Sequence, residues 1–145
     1  MTGHGGDLDR GALVAFVREH GEGVLSTLGP DGGPQAAYLA LAATDDGDLV
    51  LDARASSRKV ANLGRDARVA VVVGGSDGRT VQCEGVADLP TGEDRDRCAA
   101  AYREAFPQFA GSLEDPGIVV VRVRVTWARY GDYRTSPPQL RELRY

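Results

Sequence analysis

The residues best equipped for chemistry lie in one stretch, Ala55-Ser56-Ser57-Arg58-Lys59-Val60-Ala61-Asn62-Leu63. Ser56 or Ser57 is suited to cap a helix, because a hydroxyl there accepts a hydrogen bond from a first-turn N–H. Val60 and Leu63, three residues apart, give that helix an apolar side. Its first turn then combines free N–H groups, the positive end of the helix dipole, two hydroxyls, a guanidinium and an ammonium. Such a set matches a phosphate. Lys59 is the only lysine among 17 basic residues, a compact point charge in a chain that otherwise uses the arginine fork. The same residues also fit a solvated helix start with two surface cations, so the rest of the chain has to discriminate.

Other chemistries find little support. Cys83 and Cys98 form no CxxC pair and read as small buried apolar groups. His4 and His20 are remote in sequence from any cysteine or carboxylate cluster, so no metal site is expected. His20 reads as a cation at a helix C-terminus rather than as a base. The balance of 17 basic against 21 acidic residues, net −4 with a pI near 5.1, lacks the basic footprint of nucleic-acid binding. No run approaches the roughly 20 apolar residues that cross a bilayer. Met1-Thr2-Gly3-His4-Gly5-Gly6 has neither the basic start nor the apolar core of a signal peptide. A cytoplasmic protein is expected, with residues 1–6 a flexible N-terminus, 7–134 one domain and 135–145 a tail.

The elements that must position the basic stretch follow from periodicity. Asp7 to His20 reads as an amphipathic helix stopped by Gly21. Gly23–Leu28, Pro34–Thr44 and Leu49–Ala53 read as strands joined by Gly29-Pro30-Asp31-Gly32-Gly33 and Asp45-Asp46-Gly47-Asp48, an antiparallel meander. The short basic helix at 57–64 follows. Arg68–Gly74 is so rich in Val that a strand buried on both faces is expected. Arg79–Leu89 is a fifth strand, in which Gly85 marks a bulge or a close approach. Thr91 caps a helix running to Pro107, and Phe106 to Gly111 forms a loop that brings two aromatics together. Ile118–Trp127 is a long sixth strand whose second half alternates Val and Arg, one face buried and one charged. Pro137-Pro138 places the tail on the surface. The expected fold is mainly β (α+β): a six-stranded antiparallel split β-barrel with two longer flanking helices and one short helix.

Four segments, in this order, resemble the pyridoxamine 5'-phosphate oxidase-like, FMN-binding split-barrel family. They are Val24–Pro34 with its Asp31-Gly32 turn, Ser57-Arg58-Lys59-Val60-Ala61-Asn62-Leu63, Val81-Gln82-Cys83-Glu84-Gly85-Val86-Ala87, and Val125-Thr126-Trp127-Ala128-Arg129-Tyr130-Gly131-Asp132-Tyr133. The likeness spans about residues 10 to 135. It implies a homodimer with two flavin sites at the subunit interface. Ser56, Ser57, Arg58 and Lys59 would hold the phosphate, and the strand of Gln35, Ala36, Ala37 and Tyr38 would lie along the ring or ribityl chain. Thr80 stands where the oxidase proper has a glutamine near the ring. Trp127 and Arg129 would come from the partner subunit or close the edge of the site. The sequence departs from the family pattern at Thr80, at Asp66-Ala67-Arg68, and in lacking an Arg-x-His pair near its end, so pyridoxamine phosphate is not the expected substrate.

The expected function is that of an oxidoreductase in which bound FMN carries hydride or electron transfer to or from a small organic substrate. That fits a chain with no Ser-His-Asp set or paired-carboxylate site. Tyr38, Thr80 and Tyr130 can donate a proton or hydrogen bond but serve equally in packing, and no catalytic residue is assigned. A deazaflavin (coenzyme F-420) in the same site is the alternative. A non-catalytic flavin-binding or storage protein is a third reading, with haem disfavoured because neither histidine is placed as an axial ligand on a strand.

Overall fold

Strands with a two-residue period build the framework of the molecule, and three helices pack against it. The computed structural model describes residues 4–144. In chain order these form β1 (His4–Asp7), α1 (Arg10–His20), β2 (Glu22–Leu28), β3 (Pro34–Ala40), β4 (Ala42–Ala43), β5 (Leu49–Arg54) and α2 (Arg58–Arg65). There follow β6 (Arg68–Gly74), β7 (Arg79–Asp88), α3 (Gly92–Ala105), a 3-10 segment (Pro107–Glu114), β8 (Ile118–Asp132) and β9 (Gln139–Arg144). The strand order is β1-β9-β8-β7-β6-β2-β3, antiparallel except for the β1–β9 pair, and β8 also pairs β5, which pairs β4. The sheet is therefore curled, as expected, but has nine strands rather than six. Leu41 N still donates to Gly21 O at 3.0 Å, in register with the β2–β3 ladder, and the chain then changes partner, Ala42 and Ala43 pairing β5, which divides the second expected strand into β3 and β4. The chain ends supply the other two strands, because β8 runs on to Asp132 and offers its edge to β9.

Local signals fix the helix ends. Asp9 Oδ1 accepts from Ala12 N at 2.7 Å, so α1 starts three residues after Asp7. Gly21, at φ 69°, ends it by donating to Val17 O at 2.7 Å. Thr91 occupies the cap position of α3 but its side chain makes no capping bond, leaving Glu93 and Asp94 to face the helix dipole. Inside the curl, Leu13 and Val17 of α1 meet Leu25, Leu51, Val71 and Val121, all essentially solvent-free. Each contributes on the order of 1.5–3 kcal/mol by burial.

The outer face divides into two halves. Over β5 and the start of β8, α3 buries Val50, Cys98, Ala99, Tyr102, Leu113 and Val120 as a second core. Arg122 lies under this cover, 5% exposed, with Nε and Nη2 donating to Asp88 at 2.9 and 2.7 Å. The Val/Arg alternation of β8 thus does not expose both arginines: Arg122 is buried by α3 and only Arg124 faces water. Beyond α3 the outer face of β2, β6 and β7 carries no helix. There β6 alternates, with Val69, Val71 and Val73 inside while Ala70 and Val72 are exposed, so it is not buried on both faces of one chain. Gly85 marks a register slip against β8, and a Cβ on it would lie 2.5 Å from Arg124 O.

Candidate functional site

The apolar strand β5 delivers the chain to the start of α2. A turn closed by Ser57 N donating to Arg54 O at 2.9 Å redirects it, and Ser57 Oγ then accepts from Val60 N at 3.5 Å as the cap. Leu63 and Asn62 turn inward, 8% and 2% exposed, and fix the helix against β2. Its first turn is left beside the edge strand β3.

A cavity of about 260 Å³ lies between them, lined by Leu25, Thr27, Gln35, Ala36, Ala37, Arg58 and Lys59. Its floor is two cross-strand pairs, Thr27 opposite Gln35 and Leu25 opposite Ala37. No carboxylate lines it. Arg58 and Lys59 make no hydrogen bond or ion pair with any described residue, so their charge is uncompensated among the described residues. Behind the wall, Asn62 Nδ2 donates to Thr27 Oγ1 and to Gln35 Oε1, each at 2.9 Å, and Arg65 Nη2 donates to Asn62 Oδ1.

The expected site residues are distributed as follows. Gln35, Ala36, Arg58 and Lys59 meet in the cavity, with Ser57 as the cap behind them and Ser56 exposed in the preceding turn. Tyr38 lies on the opposite face of β3, 68% exposed, where a hydrogen bond to Glu22 raises its pKa above the usual phenol value. Thr80 pairs with Gly74 and Gly131, and Trp127 and Arg129 lie on β8 opposite Glu84 and Gln82. Four strand spacings separate β8 from β3, about 19 Å at ~4.8 Å each. Trp127 and Arg129 therefore do not close the edge of this cavity in their own chain. Arg129 stands over the Trp127 ring, its Cζ 6.0 Å from the centroid, and its Nε is buried with no partner among the described residues. Tyr130 sits under α1, edge-on to Phe16 at 5.9 Å, away from the cavity.

Sequence reasoning missed Thr27 and the role of Asn62. The signal for Asn62 was present: an amide next to Leu63 on the inward side of a short helix must find partners when buried.

A larger concavity, about 480 Å³, opens on the bare outer face among Ser26, Ala70, Glu84, Val86 and Thr126. Elsewhere, Glu19, His20 and Asp77 place three ligand-type atoms within 4.8 Å of one another. Arg79 already donates to both carboxylates, at 2.8 Å to Glu19 and 2.7 Å to Asp77. His20 bridges Phe16 O at 2.9 Å and Asp77 at 3.0 Å, so the cluster is an ion network tying α1 to the β6–β7 turn.

No curated protein matches the chain. Among solved structures, a haem-binding protein from Mycobacterium smegmatis superposes with a TM-score of 0.79 at 20% identity, over 94% of this chain and 58% of that one. The chain thus spans little more than half the length of that protein. A conserved hypothetical protein from Mycobacterium tuberculosis gives 0.73 at 28% identity, covering 88% of this chain and 86% of that one. The haem storage protein of Vibrio cholerae gives 0.67 at 16% identity, with 77% and 85% covered. The profile of the pyridoxamine 5'-phosphate oxidase family matches residues 10–131, which takes in the curled sheet, α2 and the cavity between them. The chain belongs to the pyridoxamine 5'-phosphate oxidase family.

Proposed function

We propose that the chain binds FMN by its phosphate at the start of α2 and acts, as a homodimer, as a flavin-dependent oxidoreductase on a small organic molecule. The observation that carries this is the donor set of the cavity: two cations without partners at a capped helix start, and no carboxylate facing them. That lining suits a dianionic phosphate and would repel few of its oxygens. Bound FMN supplies the hydride or electron transfer. In this reading the chain's own residues bind and orient. Arg58, Lys59 and the first-turn N–H groups hold the phosphate, while the edge of β3 from Gln35 to Tyr38 offers main-chain groups to the rest of the cofactor.

Size and exposure support the dimer. About 260 Å³ falls short of the ~300–1,000 Å³ that encloses a drug-sized ligand, so one chain supplies only part of a flavin site. The bare outer face exposes Tyr38, Val72 and Val86 at 68%, 42% and 45%, a patch that marks an interaction surface. A second copy packed there can bring its own Trp127 and Arg129 toward the site, and Arg129 has a buried Nε awaiting an acceptor.

Purification tests the reading. Yellow dimeric protein that releases FMN on denaturation, and whose flavin is reduced by a donor and reoxidised by an acceptor, supports it. Colourless protein that takes up added deazaflavin points to coenzyme F-420. Flavin that no donor reduces points to storage, and a haem spectrum overturns the flavin reading. The names of two structural neighbours make haem worth including, although His20 is committed to Phe16 and Asp77.

A further inference from the structure

An amide lining an anion site can present either its oxygen or its nitrogen, and only the nitrogen helps. Gln35 faces this choice, and the chain of bonds behind it makes the choice. Arg65 is a donor only, so the atom of Asn62 that it meets has to be the carbonyl Oδ1. Asn62 is 2% exposed and its amide nitrogen must then face the other way, where it donates to Thr27 Oγ1 and Gln35 Oε1, each at 2.9 Å. One lone pair of Gln35 Oε1 is thereby taken, and the oxygen is fixed on the Asn62 side. Its Nε2 makes no hydrogen bond among the described residues and rests against Gly29, 2.6 Å from where a Cβ on that glycine would be. Thr27 is in the same position: its oxygen accepts from Asn62, and its hydroxyl proton has no acceptor among the described residues.

Resting on the phosphate reading above, we infer that Arg65, which does not line the cavity, sets through Asn62 the polarity of Thr27 and Gln35, so that every polar side chain lining the cavity keeps a donor to offer. Thr27 O–H, the Gln35 amide, Arg58 and Lys59 then all point to one kind of ligand. It is an oxyanion with acceptors only, a fully ionised phosphate monoester. A ligand group that must itself donate, such as a protonated phosphate or a sugar hydroxyl, finds among these side chains only the second lone pairs of Thr27 Oγ1 and Gln35 Oε1, oxygens already shared with Asn62. Arg65 and Asn62 are positioning residues, and they act on specificity rather than on the ring of the cofactor.

The test uses Arg65→Glu, Arg65→Lys and Gly29→Ala in the full chain. Glutamate accepts only, so Asn62 must turn its nitrogen toward it and its oxygen toward Gln35, which then turns its own oxygen to the cavity. FMN affinity should fall about tenfold to a hundredfold, the scale of one charge-assisted bond replaced by a repelling lone pair. Riboflavin, the same ring without phosphate, should be unaffected. Arg65→Lys keeps a donor and should rescue FMN binding. Gly29→Ala displaces the Gln35 amide without changing charge and should also lower FMN affinity selectively. The Arg65→Glu loss should persist at ~1 M salt, where a Debye length of about 3 Å removes a remote charge effect.

Equal FMN affinity in all variants, or a loss shared by riboflavin or abolished by salt, overturns the inference and leaves the flavin reading intact. If the wild type binds no FMN, the flavin reading fails and inorganic phosphate decides the polarity. A side-chain amide NMR shift of Gln35 on adding phosphate, lost in Arg65→Glu, supports the inference; no shift overturns it.

Discussion

Replacing Arg58 and Lys59 together by alanine separates the charge of the site from its fold. Neither side chain bonds to another described residue, and the cap at Ser57 and the buried Asn62 and Leu63 are untouched. Alanine is also the best helix former, so α2 should keep its first turn. Stability should stay within about 0.5 kcal/mol, which is about 1–2 °C in Tm for a domain of this size. Binding should respond very differently. A hydrogen bond to a charged group contributes about 1.5–3 kcal/mol when desolvated, and Arg58 is exposed while Lys59 is half-buried, so each belongs at or below the low end. The pair together should contribute about 2–3 kcal/mol, raising the Kd for FMN about 30- to 150-fold. Parallel titrations with FMN and riboflavin, read by flavin fluorescence, check this, with a thermal melt of the apo-protein alongside. Riboflavin affinity should be unchanged, and the salt dependence of FMN binding should flatten. An FMN Kd within about threefold of the wild type, with the melt unchanged, refutes the phosphate site.

Three further outcomes follow from particular residues. Val72→Glu places a charge on the bare outer face, where Val72 is 42% exposed in the single chain; light scattering should report a shift from dimer to monomer with the far-UV spectrum intact. Cys83 is held by burial at a pKa of about 12, and burial raises Cys98 as well, so both thiols should resist alkylation at pH 8 until denaturant is added. Hydrogen bonds from Arg134 lower the Asp132 carboxyl to about 2, below its value in the unfolded chain. Its contribution is present above the unfolded pKa of about 3.9 and lost as pH falls toward 2. Acid unfolding of Asp132→Asn should therefore show a smaller loss of stability across that window than the wild type.

Much of this was legible in the chain because local chemistry and tertiary structure agree. Gly21 ends α1, the Asp31-Gly32 turn joins β2 to β3, and Gly85 marks the slip against β8. The basic stretch is a capped helix whose two cations meet Gln35 in one cavity. What the sequence left out depends on register and partners. After Leu41 the chain changes its pairing from β2 to β5, which no local pattern records. Asn62 reads as one polar residue among several until the fold buries it between Thr27, Gln35 and Arg65. Arg122 reads as exposed by alternation until α3, arriving from elsewhere in the chain, brings Asp94 over it beside Asp88.

The reading of Arg68–Gly74 carries the most general lesson. Its Val-rich run implies cover on both sides, yet one chain covers only Val69, Val71 and Val73. Hydrophobic pattern is selected in the working assembly, so a strand that is more apolar than its own chain can bury identifies a face that something else covers. Here the surplus is not spread at random. Val72 and Val86 are on neighbouring strands, Tyr38 lies across β2 from Val72, and Trp127 and Arg129 continue the same face onto β8. The cavity of β3 and α2 lies behind that face, on the other side of the edge strand β3 from Tyr38, and Trp127 stands toward the far border, about 19 Å away by strand count. In the dimer proposed above, a two-fold axis lying in the face along the strands would bring each border of one copy against the opposite border of the other, and such an isologous interface closes at two copies. The mismatch between pattern and exposure thus supports the proposed dimer from residues other than those of the undersized cavity.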